Sequence, residues 1–292
     1  MRISRSKPKR THRWVAFIRA TVILAFISGL ALTAAWFWYG IEDETAAPTI
    51  AAIYDEYPQD NLTRTPPPSQ TGLQGAFGGA NIRATPLERP NFTYAKPENP
   101  SPAADDHFAD AIFFGDALTA AIPFYNMAPG AGVVAFAGES PASAGMRTLT
   151  SADETWSLPE AARVIYGERS NIYIKFSVAS MSAEIERFIT EYERFIYLVR
   201  ESFPQANIFI QTIPPITYAA SLSHPFATNE MINEYNIALM NLARQKGVFF
   251  LDVAYVLTDD TGHLYPRAAP ADGIHISAEF YYIWFDYLRR HW

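Results

Sequence analysis

Two short stretches carry side chains that could do chemistry. Asp272-Gly-Ile-His275 puts a carboxylate and an imidazole three residues apart, at a turn entering a helical pattern. At that spacing the aspartate can accept from one ring nitrogen while the other faces a pocket. That is the base-and-orienter half of a hydrolytic triad. A capping aspartate beside an incidental histidine is the alternative that spacing alone leaves open. The second stretch runs from Asp110 to Thr119. Its apolar run, 111–114, stops at Gly115-Asp116, and a helical segment begins at Ala117. Strand-turn-helix corners of this kind hold nucleophiles or anions in open α/β sheets. Where a hydroxyl would be most useful, the residue is Ala117.

The elements that must position these residues are legible as alternating patterns. Apolar, mostly unalternated runs at 111–114, 132–137, 171–176, 207–211 and 248–252 read as parallel strands covered on both faces. The spacing predicts a helix over 182–203, with Ile185, Phe188, Ile189, Tyr192, Phe195, Ile196 and Val199 on one face. Ser182 is its expected cap, and Phe203-Pro204 ends it. Further helices are expected over 229–246, with Gly247 as its stop, and over 278–290. Alternation of strand and helix predicts an α/β fold, a three-layer doubly wound parallel sheet. In such a sheet ligands bind beyond the carboxyl ends of the strands. Four loops qualify: 115–117, 137–140, 177–180 and 271–275. Tyr281, Tyr282, Trp284, Phe285 and Tyr287 crowd the last helix on more than one face, as core packing plus a lipid- or tether-facing patch would.

Composition narrows the function classes. A net charge of −7 with no basic patch outside the N-terminus argues against nucleic acid as a partner. With no cysteine, a disulfide framework, thiolate metal site and cysteine nucleophile are excluded. The histidines His12, His107, His224, His263 and His291 form no ligand-spaced cluster, so neither a metal site nor a cofactor is expected.

The chain divides into four parts. Residues 1–13 are a basic tail with Arg2, Arg5, Lys7, Lys9, Arg10 and Arg13. Within 14–40, residues 20–39 carry no charge, and at 1.5 Å per residue that run spans roughly 30 Å, one hydrocarbon core. Trp14 at one end and Trp36, Trp38 and Tyr39 at the other fit interfacial belts. Basic before and acidic after (Glu42, Asp43, Glu44) predicts a single-pass anchor with a cytoplasmic N-terminus and the rest outside. A cleaved signal peptide competes, but the bulky aromatic end is a poor cleavage site. Residues 41–105 are rich in Pro, Ser, Thr, Asn and Gly and read as a disordered linker. Residues 106–292 form the globular domain.

Together, Phe114-Gly-Asp-Ala-Leu-Thr119 and Asp272-Gly-Ile-His275 make residues 108–292 resemble the SGNH (GDSL-type) hydrolases, which are esterases, lipases and glycan deacetylases of flavodoxin-like fold. Tyr173-Ile-Lys-Phe176, Ile210-Gln-Thr-Ile-Pro-Pro-Ile216 and Asn233-Glu-Tyr-Asn236 are similar to its intervening blocks. The resemblance implies that the nucleophilic serine falls on Ala117, the oxyanion glycine on Gly138, the oxyanion asparagine on Ala179, and the orienting Asp and base His on Asp272 and His275. The base pair is kept, while the nucleophile and one oxyanion donor are not.

Losing one oxyanion donor costs on the order of 10²–10³ in rate. Losing the nucleophile leaves only a residual on the order of 10³–10⁴ over water. The expectation is a pseudoenzyme of the cell envelope, bacterial in host, that binds an acylated glycan or lipid, or a partner protein. The competing expectation is an active ester hydrolase using a displaced hydroxyl (Thr119, Ser140, Ser143 or Ser180) or water activated by His275. A domain that serves only as a structural spacer is the third.

Overall fold

A computed structural model describes residues 84–104, 106–151, 154–181, 184–224 and 227–292. The expected anchor and basic tail lie outside these residues. Among the described residues no helix is long and apolar enough to cross a membrane.

Five parallel strands build the sheet: β1 (Ala111–Gly115), β2 (Gly132–Ala135), β5 (Asn171–Lys175), β6 (Asn207–Gln211) and β7 (Phe249–Leu251). Their order is β2-β1-β5-β6-β7. The chain steps from β1 outward to β2, then returns past β1 to β5, so the connections change direction between β1 and β5. Open sheets bind ligands at such a switch point.

Strand alternation sorts the side chains to two faces. Ile112, Phe114, Ile172, Ile174, Ile208 and Ile210 are buried in one cluster. Helices α3 (Leu158–Tyr166), α4 (Ile185–Ser202) and α6 (Asn229–Lys246) cover that side. Phe113, Tyr173 and Phe209 point to the other cluster. Helices α1 (Ala117–Ala120), α7 (Ala254–Leu257) and α8 (Ala278–Arg290) cover it. The register pairs Phe113 with Tyr173, Tyr173 with Phe209 and Phe209 with Phe249. Their rings accordingly stack in a row at 4.7, 4.7 and 5.0 Å. The three-layer doubly wound sheet is therefore as the patterns predict. Gly247 ends α6 in the left-handed conformation, φ 62°, which an unbranched backbone adopts without steric cost.

Several expectations need correction. The strands over 132–137 and 248–252 are shorter than their apolar runs. The expected cap Ser182 lies outside the described residues, and α4 starts at Ile185 after Glu184. Along α8, Tyr281, Trp284, Phe285 and Tyr287 are all buried, so these four serve the core and not a lipid-facing patch. The patterns do not mark the hairpin β3 (Thr148–Ser151) and β4 (Glu154–Ser157), nor the helix α3 that follows. Ser157-Leu-Pro-Glu160 carried the signal, a capping box in which each side chain bonds the other's backbone N–H.

The linker expected over 41–105 is corrected over its last part. Residues 84–104 form a strap that crosses the open edge of β7 and runs on to the end of α8. Ala95 pairs with Phe250 as a parallel bridge, and Lys96 N donates to Phe250 O at 2.8 Å. Arg89 is ion-paired with Asp252. Phe92 is buried, its ring 5.3 Å from that of Phe250. Pro-rich composition misled because proline also suits an edge segment whose N–H groups face away from the ladder. The strap covers backbone groups that an edge strand would leave free for another chain. Phe92→Ala is expected to cost about 3 kcal/mol, read by denaturant unfolding of the folded domain. A change below about 1 kcal/mol, the scale of an ordinary surface substitution, would show that the strap is not part of the core.

Candidate active site

Asp116 is the residue that ties the corner together. It is buried, and it caps α1 by accepting from Leu118 N at 3.3 Å. Its other oxygen accepts from Ser177 N at 2.5 Å and from the Ser177 hydroxyl. Lys175 Nζ lies 3.5 Å from Asp116 Oδ1, and both side chains are 1% exposed. The ammonium also sits 5.1 Å from the centre of the Trp284 ring, close enough for cation–π attraction. Burial lowers the Lys175 pKa, and the Asp116 charge opposes that shift. Breaking one side of such a pair strands the other charge in a low-dielectric site. The ends of β1 and β5 are thereby locked together.

Gly115 is required for this approach. A Cβ there would stand 2.1 Å from Lys175 O and 2.2 Å from Thr119 Oγ1. The loop after β2 joins the same edge through Phe136 N, which donates to Gly115 O at 3.2 Å. Gly138 in that loop is exposed, with φ 75°. The next residue, Glu139, is buried and ion-paired with Arg147 at 2.7 Å. Ala179 is exposed on a short 3-10 turn, Val178–Ser180. Ala117, Gly138 and Ala179 therefore stand on three neighbouring loops at the carboxyl edge of β1, β2 and β5.

Asp272 and His275 are paired. His275 Nδ1 and Asp272 Oδ2 are 2.5 Å apart, and Asp272 Oδ1 accepts from the backbone N–H of both Ile274 and His275 at 2.9 Å. The His275 side chain is 52% exposed. Among the described residues its ring has no hydrogen-bond partner besides Asp272, which leaves Nε2 uncommitted. Burial works against the Asp272 charge, but the hydrogen bonds from the His275 ring and the two N–H groups prevail, and its pKa falls from 3.8 to about 2. The bond to Asp272 raises the His275 pKa above 6.5. Burial opposes this, and the Asp116 charge assists while Lys175 resists. The field of the β1–β5 corner thus reaches the imidazole. The loop rests on Thr217, which donates its N–H to Gly273 O at 2.9 Å. A Cβ on Gly273 would meet Thr217 Oγ1 at 2.2 Å.

The substitute hydroxyls are committed elsewhere. Thr119 is buried and its hydroxyl contacts Lys175 O at 3.4 Å. Ser140 and Ser143 form the capping box of α2 (Pro141–Met146). Ser180 is buried and donates to Ser177 O at 2.6 Å. Among the described residues no three His, Asp or Glu side chains gather so as to hold a metal ion. Sequence reading missed the roles of Asp116, Lys175 and Ser177. The signal was a lone lysine closing an apolar strand, one β pairing away from an aspartate.

The sign of each shift sets a pH profile. The lowered Asp272 pKa contributes stability that is complete above 3.8 and lost as pH falls through about 2. The raised His275 pKa contributes stability that is complete below 6.5 and lost as pH rises through the folded value. Asp272→Asn is expected to flatten both limbs of melting temperature against pH, and to lower the His275 midpoint in NMR. An unchanged profile would show that the pair does not form in solution.

No protein-family model matches the chain, and no curated protein sequence does. Solved structures do. One is a Streptococcus pneumonia protein described as a platelet activating factor, with TM-score 0.50 and 21% identity over 61% of this chain and 81% of that chain. A GDSL-like lipase from Bacteroides thetaiotaomicron gives TM-score 0.45 and 13% identity over 63% and 89%. A carbohydrate acetylesterase family member from Sinorhizobium meliloti gives 0.42 and 18% over 61% and 95%. The chain shares its α/β fold with the Streptococcus pneumonia protein.

Proposed function

We propose that this chain is a membrane-anchored, extracytoplasmic pseudoenzyme. Its GDSL-type site binds an acylated glycan or lipid of the cell envelope without forming an acyl-enzyme. The observation that carries this reading is Ala117 at the first position of α1, beside an Asp272–His275 pair that is still hydrogen-bonded. A methyl group cannot attack an ester carbonyl, whatever base faces it. The hydroxyls of Thr119, Ser140, Ser143 and Ser180 serve strand, cap and turn contacts. With Ala179 in place of an amide, an oxyanion donor worth on the order of 10²–10³ in rate is also gone. The envelope location rests on the basic tail, the uncharged run at 20–39 and the acidic residues that follow.

One observation favours a second reading. His275 is held by Asp272 through Nδ1 and is half exposed, with Nε2 uncommitted, which leaves a nitrogen that could draw a proton from water. Direct hydrolysis of a bound ester would follow without a covalent intermediate.

Two assays on the intact chain separate these readings. A fluorophosphonate probe is expected to leave the protein unlabelled, and an aryl acetate is expected to turn over no faster than with His275→Ala. Labelling would establish a serine route. Turnover abolished by His275→Ala, without labelling, would establish water activation and overturn the pseudoenzyme reading.

A further inference from the structure

The strap touches more than the β7 edge. Its first residues reach a buried polar network beneath the Asp272–His275 loop. His263 is 2% exposed and uses both ring nitrogens. Nε2 donates to the backbone oxygen of Thr85 at 3.1 Å. Nδ1 accepts from Asn229 Nδ2 at 2.6 Å. A neutral ring with its proton on Nε2 satisfies both bonds, since a carbonyl can only accept. Asn229 then clamps Ile216, accepting from its N–H at 2.9 Å and donating to its carbonyl at 2.7 Å. The next residue, Thr217, is the support on which Gly273 rests. Direct contacts thus run from Thr85 through His263, Asn229, Ile216 and Thr217 to the loop holding Asp272 and His275. The strap is pressed onto this network by Leu87, whose N–H donates to Thr261 O at 2.9 Å and whose carbonyl lies against Gly262.

We propose that His263 and Asn229 are positioning residues for the Asp272–His275 pair, and that docking of Thr85 completes their network. Release of the strap's first residues would then loosen the pair. The segment joining the domain to the rest of the N-terminal chain thereby becomes part of the site's support. The physical basis is that each buried polar group here has its partners, and removal of one leaves the next unsatisfied. Contact alone does not establish coupling between sites, so the test must read the pair itself.

The experiment is an NMR titration of the full chain with labelled histidines, the His275 signal being assigned with His275→Gln. His263→Leu removes both ring bonds. His263→Asn keeps an acceptor for Asn229 but severs the link to Thr85, and it carries the test if the leucine variant fails to fold. In the unsubstituted chain His275 is expected to titrate above an ordinary histidine. In either folded variant its midpoint is expected to fall toward the ordinary value, while His107 and His291 titrate as before. An unchanged His275 midpoint in a variant with native melting would overturn the proposal. A common shift of all three histidines would overturn it too, because that reports a general loosening. The inference rests on Asp272–His275 being the functional pair. The titration needs no ligand or activity, so its failure stays separate from failure of the pseudoenzyme reading, which the labelling and turnover assays decide.

Discussion

A carboxylate buried at the end of a strand must find donors on several sides or lose its charge. Asp116 finds them in the first turn of α1 and in the backbone and hydroxyl of Ser177, with the Lys175 ammonium 3.5 Å away as its ion-pair partner. These donors come from two segments that are 60 residues apart in sequence and adjacent only because β1 pairs with β5. The rest of the site depends on that pairing. It fixes where α1 begins, hence where Ala117 stands. It also fixes the turn that carries Ala179. Lys175 extends the same network toward Trp284, whose indole donates to Gln211 at 2.7 Å. The corner is thus tied to β6 and α8, the helix that begins three residues after His275.

The candidate site sets an oriented imidazole near a corner whose helix opens on a methyl group. Orientation of the imidazole is intact, and the loop that carries it sits on a glycine with no room for a side chain. Hydroxyls are plentiful nearby, yet each has a structural partner. A rigid frame of this kind holds a shape whether or not chemistry follows, because packing and polar satisfaction are set by the frame and not by the reacting atom.

Much of the architecture was legible in one sequence. The apolar runs were long enough, and their spacing to the amphipathic helices regular enough, to give five parallel strands and the three long helices. The hairpin β3–β4 escaped notice because Thr148–Ser151 and Glu154–Ser157 are short and polar, with only Leu149 and Trp156 to mark them. The strap escaped because edge pairing uses backbone groups, which leave no side-chain pattern. Phe92 is its one buried apolar side chain, and an aromatic in a proline-rich segment is ambiguous until its partner Phe250 is known.

By itself the sequence determined the site's vocabulary: Gly115-Asp116-Ala117 at a strand end, and Asp272 three residues before His275. Those are local relations, set by turn geometry and helix starts within a few residues. Tertiary structure alone decided that Asp116 faces inward to Lys175 and Ser177, that the nearby hydroxyls are occupied, and that Thr85 reaches His263. Each of these is a contact between residues far apart in the chain. Its partner is chosen by strand order and packing, which no local pattern encodes.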